Sequence, residues 1–157
     1  MTEKYNWQEK LNPKPPSIGD IGESSVARLL IKLNVSNDER GNIAISDEDD
    51  LPFEIKRVFF IYGSAMASMR GNHAHKLCEQ MLIATSGWTD VFVEGPDRSR
   101  FSVKLDQPNY GLLIPSGYWA CQYKRSNEAV LTVLASRRYE PNDYIRSYDE
   151  WEKFINL

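Results

Sequence analysis

The chain is poor in the features that would indicate a secreted, membrane-bound or nucleic-acid-binding protein. Its two cysteines, Cys78 and Cys121, are too few for a disulfide framework and do not form a CxxC pair. No apolar run is long enough for a membrane span, and a formal net charge of −3 gives no broad positive field for nucleic acid. The N-terminal MTEKYNWQEK is polar and of mixed charge, unlike a signal peptide. We therefore expect a cytoplasmic protein with reduced cysteines.

Proline is concentrated near the N-terminus, in the stretch LNPKPPSIGD. Each residue before a proline is disfavoured in a helix, and the flanking residues are polar. Residues 1–24 are therefore predicted to form an extended arm. The remaining residues, 25–157, are predicted to form one domain, because 157 residues suffice for a single sizeable core.

The domain consists of short apolar runs separated by turn signals, at intervals of roughly ten residues. This spacing is typical of an antiparallel sandwich or barrel and not of alternating strands and helices. An all-β fold is therefore predicted. Strands are expected over residues 26–33, 41–46, 53–62, 79–85, 89–95, 100–106, 110–115 and 128–136.

One stretch near the C-terminus has helical spacing instead. Tyr148, Trp151, Phe154 and Ile155 recur at intervals of three and four residues, as on one face of a helix. Ser147 is a suitable N-cap for that helix. A short C-terminal helix around residues 146–155 is therefore predicted, with its aromatic residues buried.

Both histidines of the chain lie in the stretch MRGNHAHKLCEQ. On a strand, His73 and His75 face the same side, and Glu79 has the same parity. Two imidazoles and a carboxylate could hold Zn, Fe or Mn. Two imidazoles alone could transfer protons near neutral pH. The third interpretation is two hydrogen-bonded histidines on a half-exposed strand, without a function.

The region around the histidines resembles the two cupin motifs. In the second motif a histidine that binds metal stands where this chain has Ala120, and alanine cannot be a ligand. The metal site of His73, His75 and Glu79 is weakened by this loss, and a metal-free acid/base pair is favoured. The matching residues are Gly71, His73, His75, Glu79 and Gly87 in the first motif, and Gly111, Pro115 and Gly117 in the second.

A more specific resemblance extends over residues 26–155. The segments DERGNIAI, LPFEIKRVFFIY, RGNHAHK, YGLLIPSGYW and VLASRRYEPNDYIRSYDEW occur in an order and spacing similar to the dTDP-4-keto-6-deoxyglucose 3,4-ketoisomerases, the WxcM-like cupins. The resemblance implies a cupin-type antiparallel β-barrel, or jelly roll. It implies a homodimer with exchanged N-terminal strands, no cofactor, and a dTDP-linked 4-keto-6-deoxyhexose as substrate. Such sugars lead to deoxyamino sugars of surface polysaccharides, including O-antigen.

The same resemblance implies residue roles. His73 matches the catalytic base, His75 the second active-site histidine, and Arg40 a substrate-site arginine. Arg57 and Arg70 are candidates for the diphosphate, since a guanidinium group suits phosphate oxygens. Tyr110 and Trp119 are candidates for stacking on the thymine or the sugar, with core packing as the alternative.

The chain departs from the family pattern at Glu39, where the family often has Tyr or Arg, and at Ala120, where it often has His or Arg. Both positions lie near the sugar by resemblance, so the stereochemistry at C4 is not fixed by the sequence. Two other functions therefore stay open. One is a non-catalytic cupin that binds a nucleotide sugar, and the other is a metal-dependent cupin enzyme.

Overall fold

The computed structural model describes Leu11, residues 14–18 and residues 27–157. Within this described part of the chain, twelve strands and one α-helix follow a short 3-10 turn at Ala27–Leu29. The strands are β1 (Leu30–Lys32), β2 (Asn34–Asp38), β3 (Gly41–Ile45), β4 (Arg57–Ile61), β5 (Arg70–His75), β6 (Gln80–Ser86), β7 (Thr89–Glu94), β8 (Arg100–Leu105), β9 (Tyr110–Ile114), β10 (Trp119–Arg125), β11 (Val130–Ala135) and β12 (Tyr144–Ile145), and the helix is α1 (Tyr148–Ile155).

Two five-stranded sheets form the body of the fold, and all their strand pairs are antiparallel. The first sheet has the order β1-β9-β6-β11-β4, and the second has the order β12-β5-β10-β7-β8. The main core lies between them, because it combines Leu82, Leu112 and Val133 of the first sheet with Val91 and Val103 of the second. The predicted all-β fold with antiparallel strands is confirmed.

Seven of the eight predicted strands are found with shorter bounds, β6 is shifted by one residue, and the described residues contain four strands more. The run 26–33 contains the 3-10 turn and then β1, while the run 53–62 is reduced to β4. Strands β2, β10 and β12 were not predicted, and β5 was considered only through its histidines. Polar sequences such as NVSND and WACQYKR carry little apolar alternation, so their pairing depends on partners distant in the chain.

Helix α1 covers the outer face of the second sheet. Ser147 accepts a hydrogen bond from the Glu150 N–H and so caps the helix, as predicted. Tyr148 and Trp151 are buried against Trp119, and Phe154 is partly buried at the edge of this cluster. Within the described ranges, no helix is long and apolar enough to cross a membrane.

Most of the predicted arm, residues 1–24, lies outside the described residues. The described part runs along β8, where the Lys104 N–H donates to the Pro16 carbonyl at 2.9 Å and Ser17 forms a parallel bridge with Lys104. Ile18 enters the main core. These residues therefore pack on the domain.

Strands β2 and β3 form a hairpin that stands apart from the two sheets. All ten of its residues are exposed, and the two strands pair only with each other. Ile43 and Ile45 lie on one face of the hairpin without cover from the described chain. Isolated two-stranded hairpins are marginally stable in water, and a partner that covers the exposed apolar face would stabilise this one.

Candidate active site

A cavity of about 330 Å³ is lined by residues of both sheets. Its apolar wall includes Leu82 and Val133 of the first sheet, and its polar side includes His73 and His75 of the second. Small-molecule sites in proteins usually have volumes of about 300–1,000 Å³ and combine apolar walls with a few polar groups. The cavity therefore has the character of a binding site.

Strand alternation places both histidines in the cavity. Ala74, between them, points to the opposite face and is fully buried under α1. Immediately before them the backbone of Gly71 and Asn72 has positive φ values of 73° and 56°. A non-glycine residue in this region is uncommon and costs free energy. The Asn72 side chain is held there by the Trp119 indole N–H, which donates to Asn72 Oδ1 at 3.3 Å.

The two imidazoles face each other. Nε2 of His73 lies 3.1 Å from Nε2 of His75, and the rings meet nearly at right angles. The Gln80 carboxamide approaches the same His75 nitrogen, with Nε2 to Nε2 at 3.3 Å. A proton gained by His73 at Nε2 can therefore be hydrogen-bonded at once by His75.

Asp143 fixes the orientation of His75 from behind. Its Oδ2 lies 2.9 Å from Nδ1 of His75, and the carboxylate also accepts the backbone N–H groups of Leu77 and Cys78 at 2.8 and 3.2 Å. A carboxylate only accepts hydrogen bonds, so Nδ1 of His75 carries the proton. In the neutral ring Nε2 of His75 then carries a lone pair that faces both His73 Nε2 and the Gln80 carboxamide.

Burial is the main influence on both imidazoles. It lowers the pKa of His73 to about 4, and the charges of His75 and Arg146 act in the same direction, against a hydrogen bond with the Gly71 backbone. Burial also lowers the pKa of His75, although the Asp143 carboxylate opposes the shift. Both rings are therefore neutral near pH 7, the state in which an imidazole can accept a proton.

Tyr144 packs against both imidazoles, and two arginines lie close to Tyr144. The Tyr144 ring lies 4.9 Å from the His73 ring and 4.3 Å from the His75 ring, between ring centroids. The Arg146 guanidinium stacks over Tyr144 at 4.3 Å. Nη2 of Arg57 lies 3.5 Å from the Tyr144 hydroxyl. Arg57 itself is not one of the residues that line the cavity.

The three predicted arginines occupy different places. Arg70 lines the cavity and also a neighbouring depression that it shares with Arg146 and Ser64. Arg57 lies behind Tyr144. Arg40 is at the tip of the β2–β3 hairpin, where it forms an ion pair with Asp38 and its side chain is 84% exposed. The structure therefore brings Arg70, but not Arg40, to the cavity of its own chain.

Tyr110 and Trp119 are not among the residues that line the cavity, and both pack in the protein interior, which is the alternative that the sequence left open for them. Trp119 is 1% exposed and packs against Tyr148 and Trp151. The reason is strand parity, because Ala120 and Gln122 of β10 face the cavity and Trp119 faces the helix. Tyr110 pairs with Lys32 at the far end of β9 and packs on the core. Aromatic residues that do line the cavity are Phe59, Phe60, Tyr62, Tyr118 and Tyr144.

The metal site considered from the sequence is not assembled. Glu79 does not join His73 and His75 in a group of ligand atoms. Among the described residues, the donors that lie within 4.8 Å of one another belong to His75, Cys78 and Asp143. Two of these potential metal ligands already take part in hydrogen bonds within the protein. Nδ1 of His75 is bonded to Asp143, and the Asp143 carboxylate accepts two backbone N–H groups.

Sequence reasoning missed several polar residues at the cavity. Asp143 and Arg146 lie within one of the segments that carry the family resemblance, but no local pattern distinguishes them from other surface charges. Gln80 and Gln122 lie on strands whose sequences do not reveal which face is enclosed. Each of these side chains, like Tyr144, is recognisable only when the strands are paired.

Comparisons with known proteins agree with this geometry. The family model described as FdtA, WxcM-like, C-terminal matches residues 27–156. The chain belongs to this family. It is 37% identical over 119 residues to the TDP-4-oxo-6-deoxy-alpha-D-glucose-3,4-oxoisomerase of Aneurinibacillus thermoaerophilus, a match that covers 75% of this chain and 85% of that protein. The predicted family is thereby confirmed.

Solved structures of 3,4-ketoisomerases have the same fold. A 3,4-ketoisomerase from Helicobacter canadensis is 38% identical, with a TM-score of 0.76 over 82% of this chain and 96% of that one. A histidine-to-asparagine variant of the 3,4-ketoisomerase QdtA from Thermoanaerobacterium thermosaccharolyticum, in complex with TDP-4-keto-6-deoxyglucose, is 34% identical. Its TM-score is also 0.76, over 81% of this chain and 92% of that one. The predicted cupin-type fold is confirmed.

Proposed function

We propose that this WxcM-like protein is a nucleotide-sugar 3,4-ketoisomerase, which moves the ketone of a dTDP-linked 4-keto-6-deoxyhexose from C4 to C3. The observation that carries the proposal is the pair of neutral imidazoles, with Nε2 atoms 3.1 Å apart, at the wall of the cavity. The relatives at 34–38% identity whose names state this chemistry support it.

The reaction needs proton transfer and no external oxidant. His73 takes the C3 proton, which is acidic because it lies next to the C4 carbonyl. The electrons of the broken C–H bond form the C3–C4 double bond of an enediol. A proton then returns to C4, while the hydroxyl proton on O3 is lost and O4 gains one. General bases held next to the reacting carbon typically contribute about 10²–10⁴-fold to the rate of such steps.

His75 and its partners keep the pair ready for this exchange. Asp143 holds the proton of His75 on Nδ1, so the Nε2 lone pair is available to the proton that His73 has taken. Tyr144, packed on both imidazoles, is the hydroxyl group that we assign to the developing negative charge on oxygen.

The diphosphate is assigned to the depression beside the cavity. Arg70 and Arg146 both line it, and His73 borders the depression as well as the cavity. Guanidinium groups bind phosphate oxygens through two parallel hydrogen bonds. A diphosphate there would lie next to a sugar at the histidines. Arg57 remains a weaker candidate because it lies behind Tyr144.

The homodimer with exchanged N-terminal strands is also part of the proposal. The isolated β2–β3 hairpin exposes Ile43 and Ile45, and β4, at the edge of the first sheet, exposes Val58 and Phe60. An exposed apolar edge favours pairing with another chain. In such a dimer the hairpin of one chain covers the β4 edge of its partner, and Arg40 at the hairpin tip reaches the mouth of the partner's cavity. This arrangement gives Arg40 the substrate-site role implied by its sequence.

The cellular role follows from the product. A 3-keto-6-deoxy sugar nucleotide is a substrate for transamination, so we place the protein in the cytoplasmic synthesis of deoxyamino sugars for surface polysaccharide.

Incubation of the purified protein with dTDP-4-keto-6-deoxyglucose, followed by NMR, tests the activity directly. We expect the carbonyl carbon resonance to move from C4 to C3, and the coupling constants of the new C4 proton to give its configuration. Binding of dTDP without any conversion of the sugar would instead identify a non-catalytic nucleotide-sugar-binding cupin.

A further inference from the structure

A buried side-chain oxygen without a hydrogen-bond partner among the described residues belongs to Gln122, which lines the cavity. The Gln122 side chain is buried, with the residue 7% exposed, and its Oε1 has no hydrogen-bond partner in the described structure. An unsatisfied polar atom in a protein interior is costly, so natural proteins have few of them. A buried amide that lines a ligand cavity is explained when the ligand supplies the missing partner.

The fold makes a specific space for this amide. Gly71 of β5, next to Arg70, which is the pairing partner of Gln122, has no side chain, and a Cβ placed there would lie 3.1 Å from Gln122 Nε2 and 3.3 Å from Gln122 Oε1. Gly71 also has a φ of 73°, a conformation that disfavours other residues. The Gln122 amide therefore lies over Gly71, two residues along β5 from His73.

The distance between Gln122 and the histidine pair matches the size of a sugar ring. Ala120 is opposite His73 in the pairing of β10 with β5. The register shifts after Ala120, and Gln122, two residues later on β10, lines the cavity together with Ala120. Two residues of a strand span about 6.6 Å, at about 3.3 Å for each residue. A hexose whose C3 lies at His73 can therefore present a neighbouring substituent to Gln122.

We propose that Gln122 is a specificity-determining residue that hydrogen-bonds the 2-hydroxyl of the hexose. This inference rests on the proposed function, because that substrate limits the choice. In a 4-keto-6-deoxyhexose, C4 is a ketone, C6 has no hydroxyl, the C3 hydroxyl reacts, and O1 carries the diphosphate. The 2-hydroxyl is the only hexose hydroxyl left, and it is adjacent to C3. A hydroxyl and a carboxamide each have a donor and an acceptor, so they pair in either orientation.

The test removes each member of the pair separately and both together. The ligands for calorimetry are dTDP-6-deoxyglucose, which cannot react, and the same compound without its 2-hydroxyl. The matching 4-keto compounds are used for turnover. Gln122→Met keeps the length of the side chain and removes its hydrogen bonds. Gln107→Met, in the loop between β8 and β9 and outside the cavity, is the control for the chemical change.

We expect loss of the 2-hydroxyl to weaken binding to the native protein by about five- to tenfold, the value of one or two hydrogen bonds. In Gln122→Met the two ligands should bind within twofold of each other, while Gln107→Met should behave like the native protein. If removal of the 2-hydroxyl weakens binding equally in the native protein and in Gln122→Met, the inference is wrong. Gln122→Asn, which withdraws the amide by one methylene, replaces the Met variant in the same comparison should that variant not fold.

These outcomes separate the inference from the proposed function. Native protein that shows the binding difference but does not isomerise the keto sugar contradicts the ketoisomerase activity and supports the Gln122 contact. Turnover of both keto compounds at equal efficiency, with equal binding of both ligands, supports the activity and contradicts the Gln122 contact. Protein that binds neither ligand contradicts both.

Discussion

Replacing Asp143 by Asn would test whether this buried carboxylate sets the proton position on His75. The Asp143 carboxylate receives three hydrogen bonds, from His75 Nδ1 and from the backbone N–H groups of Leu77 and Cys78. Asn has almost the same shape but replaces one acceptor oxygen by an NH₂ donor. If the Asn oxygen keeps the hydrogen bond from the Leu77 N–H, the Asn NH₂ group faces two other donors, His75 Nδ1–H and the Cys78 N–H.

The expected consequence is a reversed tautomer of His75. Nδ1 would have to accept the Asn N–H, so the ring proton would move to Nε2 and point at His73. The lone pair that receives a proton from His73 would then be lost. We expect kcat to fall by about 10²–10⁴-fold, the usual contribution of acid/base groups. The unpaired Cys78 N–H should also reduce the free energy of unfolding by about 1–3 kcal/mol.

Two measurements separate the tautomer effect from simple destabilisation. Nitrogen-15 NMR of the histidine rings reports which nitrogen carries the proton, and we expect Nδ1–H in the native protein and Nε2–H in Asp143→Asn. The control is Asp149→Asn, an exposed acid in the first turn of α1, which should leave kcat and the tautomer unchanged. A folded Asp143→Asn variant that keeps native kcat would refute the reasoning.

Three further predictions concern pH, subunit exchange and the diphosphate. Because burial lowers the pKa of His73 to about 4, below its value of 6.5 in an unfolded chain, kcat/KM should persist below pH 6.5 and decline only towards pH 4. As the pH falls, His73 in the unfolded chain takes up a proton before His73 in the folded protein does, so the melting temperature should also fall between pH 6.5 and pH 4. A kcat/KM profile with its midpoint near pH 6.5 would contradict the lowered pKa of His73. Two inactive variants, Arg40→Ala and His73→Asn, should regain activity when mixed under subunit exchange, because one chain supplies Arg40 to the His73 of its partner; no recovery in a mixed dimer would place Arg40 outside the shared site. Arg70→Ala should weaken dTDP binding measured by calorimetry by about tenfold or more, the value of a charged hydrogen bond, whereas unchanged affinity would exclude Arg70 from the diphosphate site.

The sequence predicted those parts of the fold that depend on local patterns. Alternation within β8 and β11 and the spacing of Tyr148 and Trp151 follow directly from burial of one face, whereas β6 and β7 were predicted as short apolar runs and are buried on both faces. The polar hairpin strand β2 and the two-residue strand β12 have no such pattern, because their conformation is determined by the strand that they pair with.

The same distinction applies to the site. His73 and His75 were identified because two rare residues lie at strand spacing in a family-like motif. Asp143 reaches His75 from a position 68 residues later, through the pairing of β12 with β5. For Trp119 the sequence left both ligand stacking and core packing open, because β10 was not predicted as a strand and the face that Trp119 occupies was therefore unknown. Long-range pairing is not visible in one sequence.

The most direct test of the central claim, that His73 removes the C3 proton, is isotope exchange in deuterium oxide. NMR of dTDP-4-keto-6-deoxyglucose with the native protein should show conversion to the 3-keto sugar with deuterium at C4. With His73→Asn, which keeps a polar side chain but lacks the proton acceptor, we expect no loss of the C3 proton, while dTDP binding changes little. Exchange of the C3 proton by His73→Asn at the native rate would contradict the assignment.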